Sequence, residues 1–269
     1  MTDIKKVIYT CITGAYEDAC AHVYIDDTWD YVMFTDNPYL LGLRRYTHWQ
    51  IRPLAFNKLT NVKNARWHKI NAHKLFPNYD ISLWVDGNIV IMKPEFFHRI
   101  NKFIMRKDKV CIPLHPERTC IYDEADTIKK LKLDNKSTVD KEMSVLSRSG
   151  YPRNIGLNET GIMLRRHNDT AVQHMQRRWW YMVKNYSRRD QLSYNWVAWR
   201  CGIKTTPMFD IPGAHRKSDE LLFVYSPTHN QNPAQNFNVK TLPHWLVKSI
   251  AALIVGRKRK QYFIKKYSR

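Results

Sequence analysis

Ile81-Ser-Leu-Trp-Val85, followed at once by Asp86-Gly87-Asn88, decides the fold of this chain. Five residues rich in strand formers, with no charge among them, predict a strand buried on both faces. Asp-Gly-Asn predicts the turn that ends it. Working outward, Val7 to Ile12 and Asp30 to Phe34 repeat the form, ending at Thr13-Gly14 and at Thr35-Asp36-Asn37-Pro38. Further strands are expected at Trp49 to Arg52 and Val110 to Leu114, and further apolar runs stand at Ile89 to Met92 and Gly161 to Leu164. Helices are expected over Asn61 to Leu75, within Asp123 to Ser149, and over Thr170 to Tyr186 and Gln191 to Cys201. Strands alternating with helices predict an α/β fold: a mixed, mostly parallel sheet with helices on both faces.

The chain has 269 residues, 43% hydrophobic, which excludes a disordered chain. Its formal charge is +20, from 44 Lys and Arg against 24 Asp and Glu. Nine of those cations, and no acid, follow Glu220. A charge of this size points to acidic partners: nucleic acid, an anionic membrane or phosphorylated small molecules. Five cysteines without a CxxC pair, and no evident signal peptide, predict a reducing, cytoplasmic setting. The longest apolar stretch, Trp245 to Gly256, would span about 18 Å as a helix, short of the ~30 Å hydrocarbon core. We expect one domain over residues 1–240 and a basic amphipathic tail over residues 241–269.

In sheets of this kind ligands bind at the carboxyl ends of the strands. No Gly-x-Gly-x-x-Gly opens the first helix and no P-loop signature is present, which argues against a dinucleotide-binding Rossmann enzyme and a P-loop NTPase. A carboxylate and an amide oxygen two positions apart, Asp86 and Asn88, can ligate a hard cation that neutralises a diphosphate; the same tripeptide also reads as an ordinary turn. Arg66 and Lys69 lie one turn apart on the preceding helix and could meet the same phosphates, or form a solvated face.

The order Tyr9-Thr10…Gly14-Ala-Tyr16, Phe34-Thr-Asp36, a basic helix and Leu83-Trp-Val-Asp86-Gly-Asn88 resembles nucleotide-sugar-dependent glycosyltransferases of the GT-A fold. The closer resemblance is to the family known as domain of unknown function 616, described as plant mucilage-related and glycosyltransferase-like. His115-Pro-Glu-Arg118…Tyr122-Asp-Glu124-Ala, Gly156-Leu-Asn-Glu159-Thr-Gly161 and Arg189-Asp-Gln191-Leu-Ser193 add to it, over roughly residues 5 to 205.

The resemblance implies that Thr10, Gly14 and Tyr16, with Asp36 nearby, hold the nucleotide. It implies that Asp86 and Asn88 stand at the DxD position, where Mn²⁺ or Mg²⁺ and the diphosphate bind. Asn88 replaces the second acid there, and a neutral ligand weakens a cation site. Asp190 and Gln191 resemble the Asp-Gln segment that faces the donor sugar in glycosyltransferase family 8, which also suggests retention of configuration. Asp190 equally reads as the N-cap of the helix it precedes. Glu159, in an apolar context, is a candidate base or acceptor orienter, or a structural partner of a backbone turn. His115 with Arg118 could cradle an anionic group. His215 and His229 are late histidines, of which His229 is the candidate third metal ligand; each also reads as a loop histidine.

These readings predict an enzyme that transfers a sugar from a nucleotide diphosphate donor, UDP-linked, to a polysaccharide, lipopolysaccharide or other glycan. The tail sets Trp245, Leu246, Ile250, Leu253 and Ile254 beside Lys248 and Arg257 to Lys260. That composition suits an anionic bilayer, and predicts a peripheral protein on the inner membrane face. A charged terminus packing on the core is the plainer reading. Two other functions fit parts of the sequence. A nucleic-acid-binding protein would use the seven Lys and Arg between Arg165 and Arg189 with Trp179, Trp180, Tyr181 and Tyr186, but no known binding module is present, so no nucleic acid is expected. A metal-dependent hydrolase or nucleotidyltransferase would use Asp86 and Asp190.

Overall fold

The computed structural model describes residues 4–14, 16–210, 212 and 223–225. His215, His229, the boundary expected at residue 240 and the basic tail all lie outside those residues.

The central sheet is built from β1 (Lys6–Ile12), β2 (Asp30–Thr35), β3 (Arg45–Tyr46), β4 (Trp49–Pro53), β5 (Ile81–Val85), β7 (Val110–Ile112), β8 (Ile162–Arg165) and β9 (Thr206–Pro207). Their order across the sheet is β3-β4-β2-β1-β5-β8-β7-β9. β1 is the axis: it pairs in parallel with β2 and with β5, so the carboxyl ends of all three open on one edge. β8 runs antiparallel to both β5 and β7, while β4 and β9 lie parallel to their neighbours β2 and β7. The expected α/β class and the mixed, mostly parallel sheet are what is observed. β6 (Ile89–Ile91), just past the Asp86 turn, leaves this sheet and pairs antiparallel with β10 (Phe223–Tyr225).

Side chains alternate along each strand and build one core on each face. Val7, Tyr9 and Cys11 of β1 join Trp84 of β5 in one core, under α2 (Asn61–Ile70), α3 (Ala72–Leu75), α5 (Ile121–Lys130), α6 (Lys136–Arg148), α7 (Thr170–Asn185) and α8 (Gln191–Arg200). Ile8 and Ile12 join Ile81, Leu83 and Val85 in the other, under α1 (Pro38–Leu43) and α4 (Pro94–Met105). All five cysteines are free. Among the described residues no helix is long and apolar enough to cross a membrane.

One expectation needs correction and one is refined. The helix expected over Asn61 to Leu75 is two helices, because Asn71 leaves helical geometry (φ −94°, ψ 42°) and its side chain donates to the Trp67 carbonyl. An Asx side chain that bonds nearby backbone competes with the helix in this way. The last carbonyls of α2 are taken from outside: Lys69 O accepts from Tyr9 Oη and Arg165 Nη2, both at 2.8 Å, and Ile70 O accepts from Arg165 Nη1. The orphan acceptors of a helix end are thus satisfied by two strands. The apolar run read as Gly161 to Leu164, with Arg165 beyond it, is strand β8, which begins at Ile162 and takes in Arg165, whose guanidinium is the group that makes those bonds.

Candidate active site

At the strand edge the chain turns sharply after β5. Asp86 N–H donates to Gly161 O and Ile89 N–H donates back to Asp86 O, so Asp86-Gly-Asn88 is indeed a turn. It is also more than one. The Asp86 Oδ1 atom accepts from Trp84 Nε1 at 2.7 Å and lies 3.4 Å from Lys69 Nζ. Gly87 is required for space: a Cβ there would stand 2.5 Å from Glu17 Oε2 and 2.8 Å from Ile12 Cγ1. Glu17, which the sequence reading missed, therefore lies directly against the turn. Asn88 is buried beside it.

Lys69 is the centre of the site. Its side chain is 1% exposed, and its ammonium lies 2.7 Å from Asp190 Oδ2, 3.2 Å from Thr160 Oγ1 and 3.4 Å from Asp86 Oδ1. The face of Trp84 lies 5.6 Å away, within cation–π range. Arg66, one turn earlier on α2, brings Nε to 2.8 Å from Asp190 Oδ1; the approach is an ion pair without hydrogen-bond alignment. Thr160 Oγ donates to Asp190 Oδ2 at 2.8 Å.

Asp190 stands at the N-cap position of α8, yet its side chain caps nothing. Its carboxylate faces Lys69, Arg66 and Thr160 instead, and its carbonyl accepts from Trp179 Nε1 at 2.9 Å. Burial alone would raise the Asp190 pKa. The charges of Arg66 and Lys69 and the bonds from Lys69 and Thr160 more than offset that, and hold the carboxyl well below the usual carboxylate range. Burial likewise disfavours the Arg66 cation, but Asp190, Asp86, Glu17 and Tyr16 raise its pKa. Buried Arg189 goes the other way: desolvation and the nearby Arg66 charge lower its pKa, against Asp190 and Glu124.

A second group joins this one. Gln191 Nε2 donates to Glu124 Oε1 at 3.1 Å, and Arg118 Nε donates to Glu124 Oε2. His115 Nδ1 accepts from the backbone of Glu117 and Arg118, and its Nε2 lies 3.8 Å from the same Glu124 oxygen. His115, Arg118 and Gln191 therefore meet through Glu124, a residue of the quoted Tyr122 to Ala125 motif that received no role.

The β1 end forms a third group. Gly14 N–H donates to both carboxylate oxygens of Asp36 at 3.0 Å, and Thr13 Oγ donates to Asn61 O. Gly14 has φ +63°, and a Cβ on it would fall 2.0 Å from Asn61 Nδ2, so only glycine fits. Tyr16 is 42% exposed, within electrostatic reach of Arg66 and Arg189, so the segment after β1 passes over the charged cluster. Thr10 is buried inside β1, with no hydrogen bond to its hydroxyl among the described residues. Glu159 is buried next to Thr160, with its N–H on Pro113 O. Thr160, Glu124, Glu17, Asn61 and Trp84 are the site residues that sequence reasoning missed. Of the basic and aromatic stretch weighed for nucleic acid, Trp179 and Arg165 are fully buried in the core.

The family model for the TOD1/MUCI70 glycosyltransferase-like domain matches residues 10–216. The chain belongs to that family. A protein of Arabidopsis thaliana described as a probable hexosyltransferase, MUCI70, is 22% identical over 205 residues, 71% of this chain. The match spans 34% of that protein's length. Among solved structures, likenesses include mouse xyloside xylosyltransferase 1 in apo form (TM-score 0.43, 10% identity, 77% of this chain and 85% of that one) and the apo structure of WbbM, a bifunctional glycosyltransferase (0.44, 12%, 77% and 39%). The glycosyltransferase GlyE of Streptococcus pneumoniae TIGR4 is similar at TM-score 0.42 and 10% identity, over 77% of this chain and 45% of that one.

Among the described residues no three His, Cys, Asp or Glu side chains form a metal cluster. The oxygen donors present at the expected cation position are Asp86 and Asn88, with the Glu17 carboxylate held against Gly87. Hard oxygens of this kind suit Mg²⁺ or Mn²⁺, which retain waters and take the remaining ligands from substrate phosphates.

Proposed function

We propose that this glycosyltransferase-like domain transfers a hexose from a nucleoside diphosphate sugar, UDP-linked, to a hydroxyl of a glycan acceptor such as a polysaccharide or lipopolysaccharide. The observation that carries the reading is the Lys69 ammonium shared between Asp86 and Asp190 at the common end of β1, β2 and β5. Asp36 and Gly14 at one side would hold the nucleoside; Arg66, Lys69 and Arg189 supply the positive charge that a diphosphate needs. A divalent cation, when bound at Asp86, Asn88 and Glu17, would add to the neutralisation of the leaving group.

In the transfer, the bond from the anomeric carbon to the β-phosphate oxygen breaks and the acceptor oxygen bonds to that carbon, its proton passing to the departing diphosphate. Asp190 stays ionised and stabilises positive charge at the anomeric carbon. It does not take the proton, because a general base works best with a pKa near the operating pH and Asp190 lies far below it. Retention of configuration is the course this reading takes, with the departing diphosphate as proton acceptor. The basic tail would hold the domain on the anionic inner face of a membrane.

A screen of nucleoside diphosphate hexoses, read as nucleotide release, tests the reading. We expect UDP release by the wild type and its loss in Asp190→Asn and Asp86→Asn. Release unchanged in both variants would overturn the assignment.

A further inference from the structure

Glu142, on α6, is a wholly buried carboxyl that the chemistry above does not use. Its Oε2 accepts from Ser187 N–H at 3.1 Å. Ser187 lies in the link from α7 to α8, residues 186–190, which delivers Asp190 to Lys69. The same link is gripped from two other elements. Asp134, just before α6, accepts from Ser187 Oγ at 2.6 Å and from Arg188 N–H at 2.9 Å. Lys63 of α2 donates to Lys184 O at 2.8 Å and to Tyr186 O at 3.1 Å. Lys63 belongs to the helix that carries Arg66 and Lys69, so one rigid element holds both the link and the carboxylate at its end.

We propose that Glu142 is a positioning residue for Asp190: with Asp134 and Lys63 it clamps residues 186–189 and so sets where the Asp190 carboxylate stands. The proposal rests on the reading of Asp190 as the donor-facing acid, but the clamp can be observed without turnover. The Glu142 carboxyl and the Ser193 hydroxyl of α8 are close enough to interact. Burial first, and then the charge of Asp134, push the Glu142 pKa up to about 8, against the Ser187 N–H, the Ser193 hydroxyl and the Lys63 ammonium. Those four groups face it from the 186–190 link, α8, α2 and the segment before α6.

The sign follows. Folded Glu142 holds its proton up to about pH 8, whereas an unfolded one loses it near 4.5. The stability it contributes is therefore complete below 4.5, declines as pH rises, and is lost above about 8. Above that pH a buried charge faces Asp134 without water, and opening the link is the way to hydrate it.

The Trp179 indole N–H, bonded to Asp190 O, reports the position of the link. Its ¹⁵N-¹H resonance, assigned with Trp179→Phe, is followed from pH 6 to 10 in the full chain. We expect a titration with midpoint near pH 8 in the wild type, none in Glu142→Gln, and a lower midpoint in Asp134→Asn, which folds with the same acceptor in place. A resonance that does not titrate in the wild type, titrates equally in Glu142→Gln, or keeps its midpoint in Asp134→Asn would overturn the clamp. A Trp179 titration removed by Glu142→Gln supports it even if no donor is turned over, which keeps it separate from the transferase reading.

Discussion

The Lys69 ammonium sits 2.7 Å from the Asp190 carboxylate with only 1% of the lysine side chain exposed. An ion pair so deeply buried is costly to break from one side, because the remaining charge is left in a dry site; such losses run to about 3–5 kcal/mol. Lys69→Met leaves Asp190 with Arg66 as its remaining cation and Thr160 as its remaining donor. We expect Lys69→Met to lower unfolding stability in urea by that order, while Lys58→Met, on the exposed approach to α2, changes it by less than about 0.5 kcal/mol. Equal effects would mean that Lys69 is not buried against Asp190.

Asp190→Asn keeps the shape and removes the charge. Thr160 can still donate to the amide oxygen and Lys69 keeps Asp86, so the domain still folds, at reduced stability, but in the proposed transfer positive charge at the anomeric carbon loses its counter-ion. Losing one electrostatic contact of this kind costs about 10²–10³-fold in rate. We expect a loss of nucleotide release of that order with a near-native circular dichroism spectrum.

The depressed Asp190 pKa sets an acid limb of stability. A carboxyl held below its unfolded value of 3.8 contributes stability that is present above pH 3.8 and lost as pH falls through the folded value. Urea midpoints measured from pH 5 downward are expected to drop more steeply below pH 4 in the wild type than in Asp190→Asn. Parallel curves would show that Asp190 does not drive the acid transition.

β1, β2, β5 and β7 were legible because each is a nearly continuous apolar run ended by turn residues, as a strand buried on both faces must be; β3 and β9, two residues each, carry no such run and were missed. Strand direction was not, since nothing local in Ile162–Arg165 says that it runs against β5. The break at Asn71 was hidden because it depends on Tyr9 and Arg165, which reach Lys69 and Ile70 from distant strands. At the site, Asp86, Lys69, Arg66 and Asp190 were each readable as residue types, but their meeting at one ammonium is a product of the sheet order. Thr160 and Glu124 carry no spacing signal at all: their partners, Asp190, Arg118 and Gln191, are brought together only by packing. Asp190 reads as an N-cap by position, and only the side-chain geometry shows that the helix was not given that carboxylate.

Glu17 makes a testable claim about the cation. If its carboxylate against Gly87 stands in for the missing second acid, Mn²⁺ retention in the presence of UDP should weaken in Glu17→Gln, read as a rise of the free-ion electron paramagnetic resonance signal. We expect a loss of at least about tenfold, the lower end of what loss of a supporting partner costs, and a larger one in Asp86→Asn. Undiminished Mn²⁺ retention in Glu17→Gln would exclude it from the site.

Gly14 separates a backbone requirement from a steric one. Both Gly14 (φ +63°) and Gly150 (φ +75°) lie in the left-handed region, where a side chain costs roughly 1–2 kcal/mol. A Cβ at Gly150 would meet nothing within 4 Å, whereas one at Gly14 would overlap Asn61 Nδ2 at 2.0 Å and Asn61 Cγ at 2.8 Å. Gly150→Ala should therefore show the conformational cost alone. Gly14→Ala should lose more stability and also displace Asn61, the first residue of α2, from beside the Asp36 carboxylate that holds the Gly14 N–H. Adding Asn61→Ala to Gly14→Ala should restore the steric part and bring the loss down to that of Gly150→Ala, all read from urea midpoints. UDP binding, measured by calorimetry, should fall in Gly14→Ala and stay unchanged in Gly150→Ala, because only the first position borders the strand ends where the nucleoside is proposed to sit.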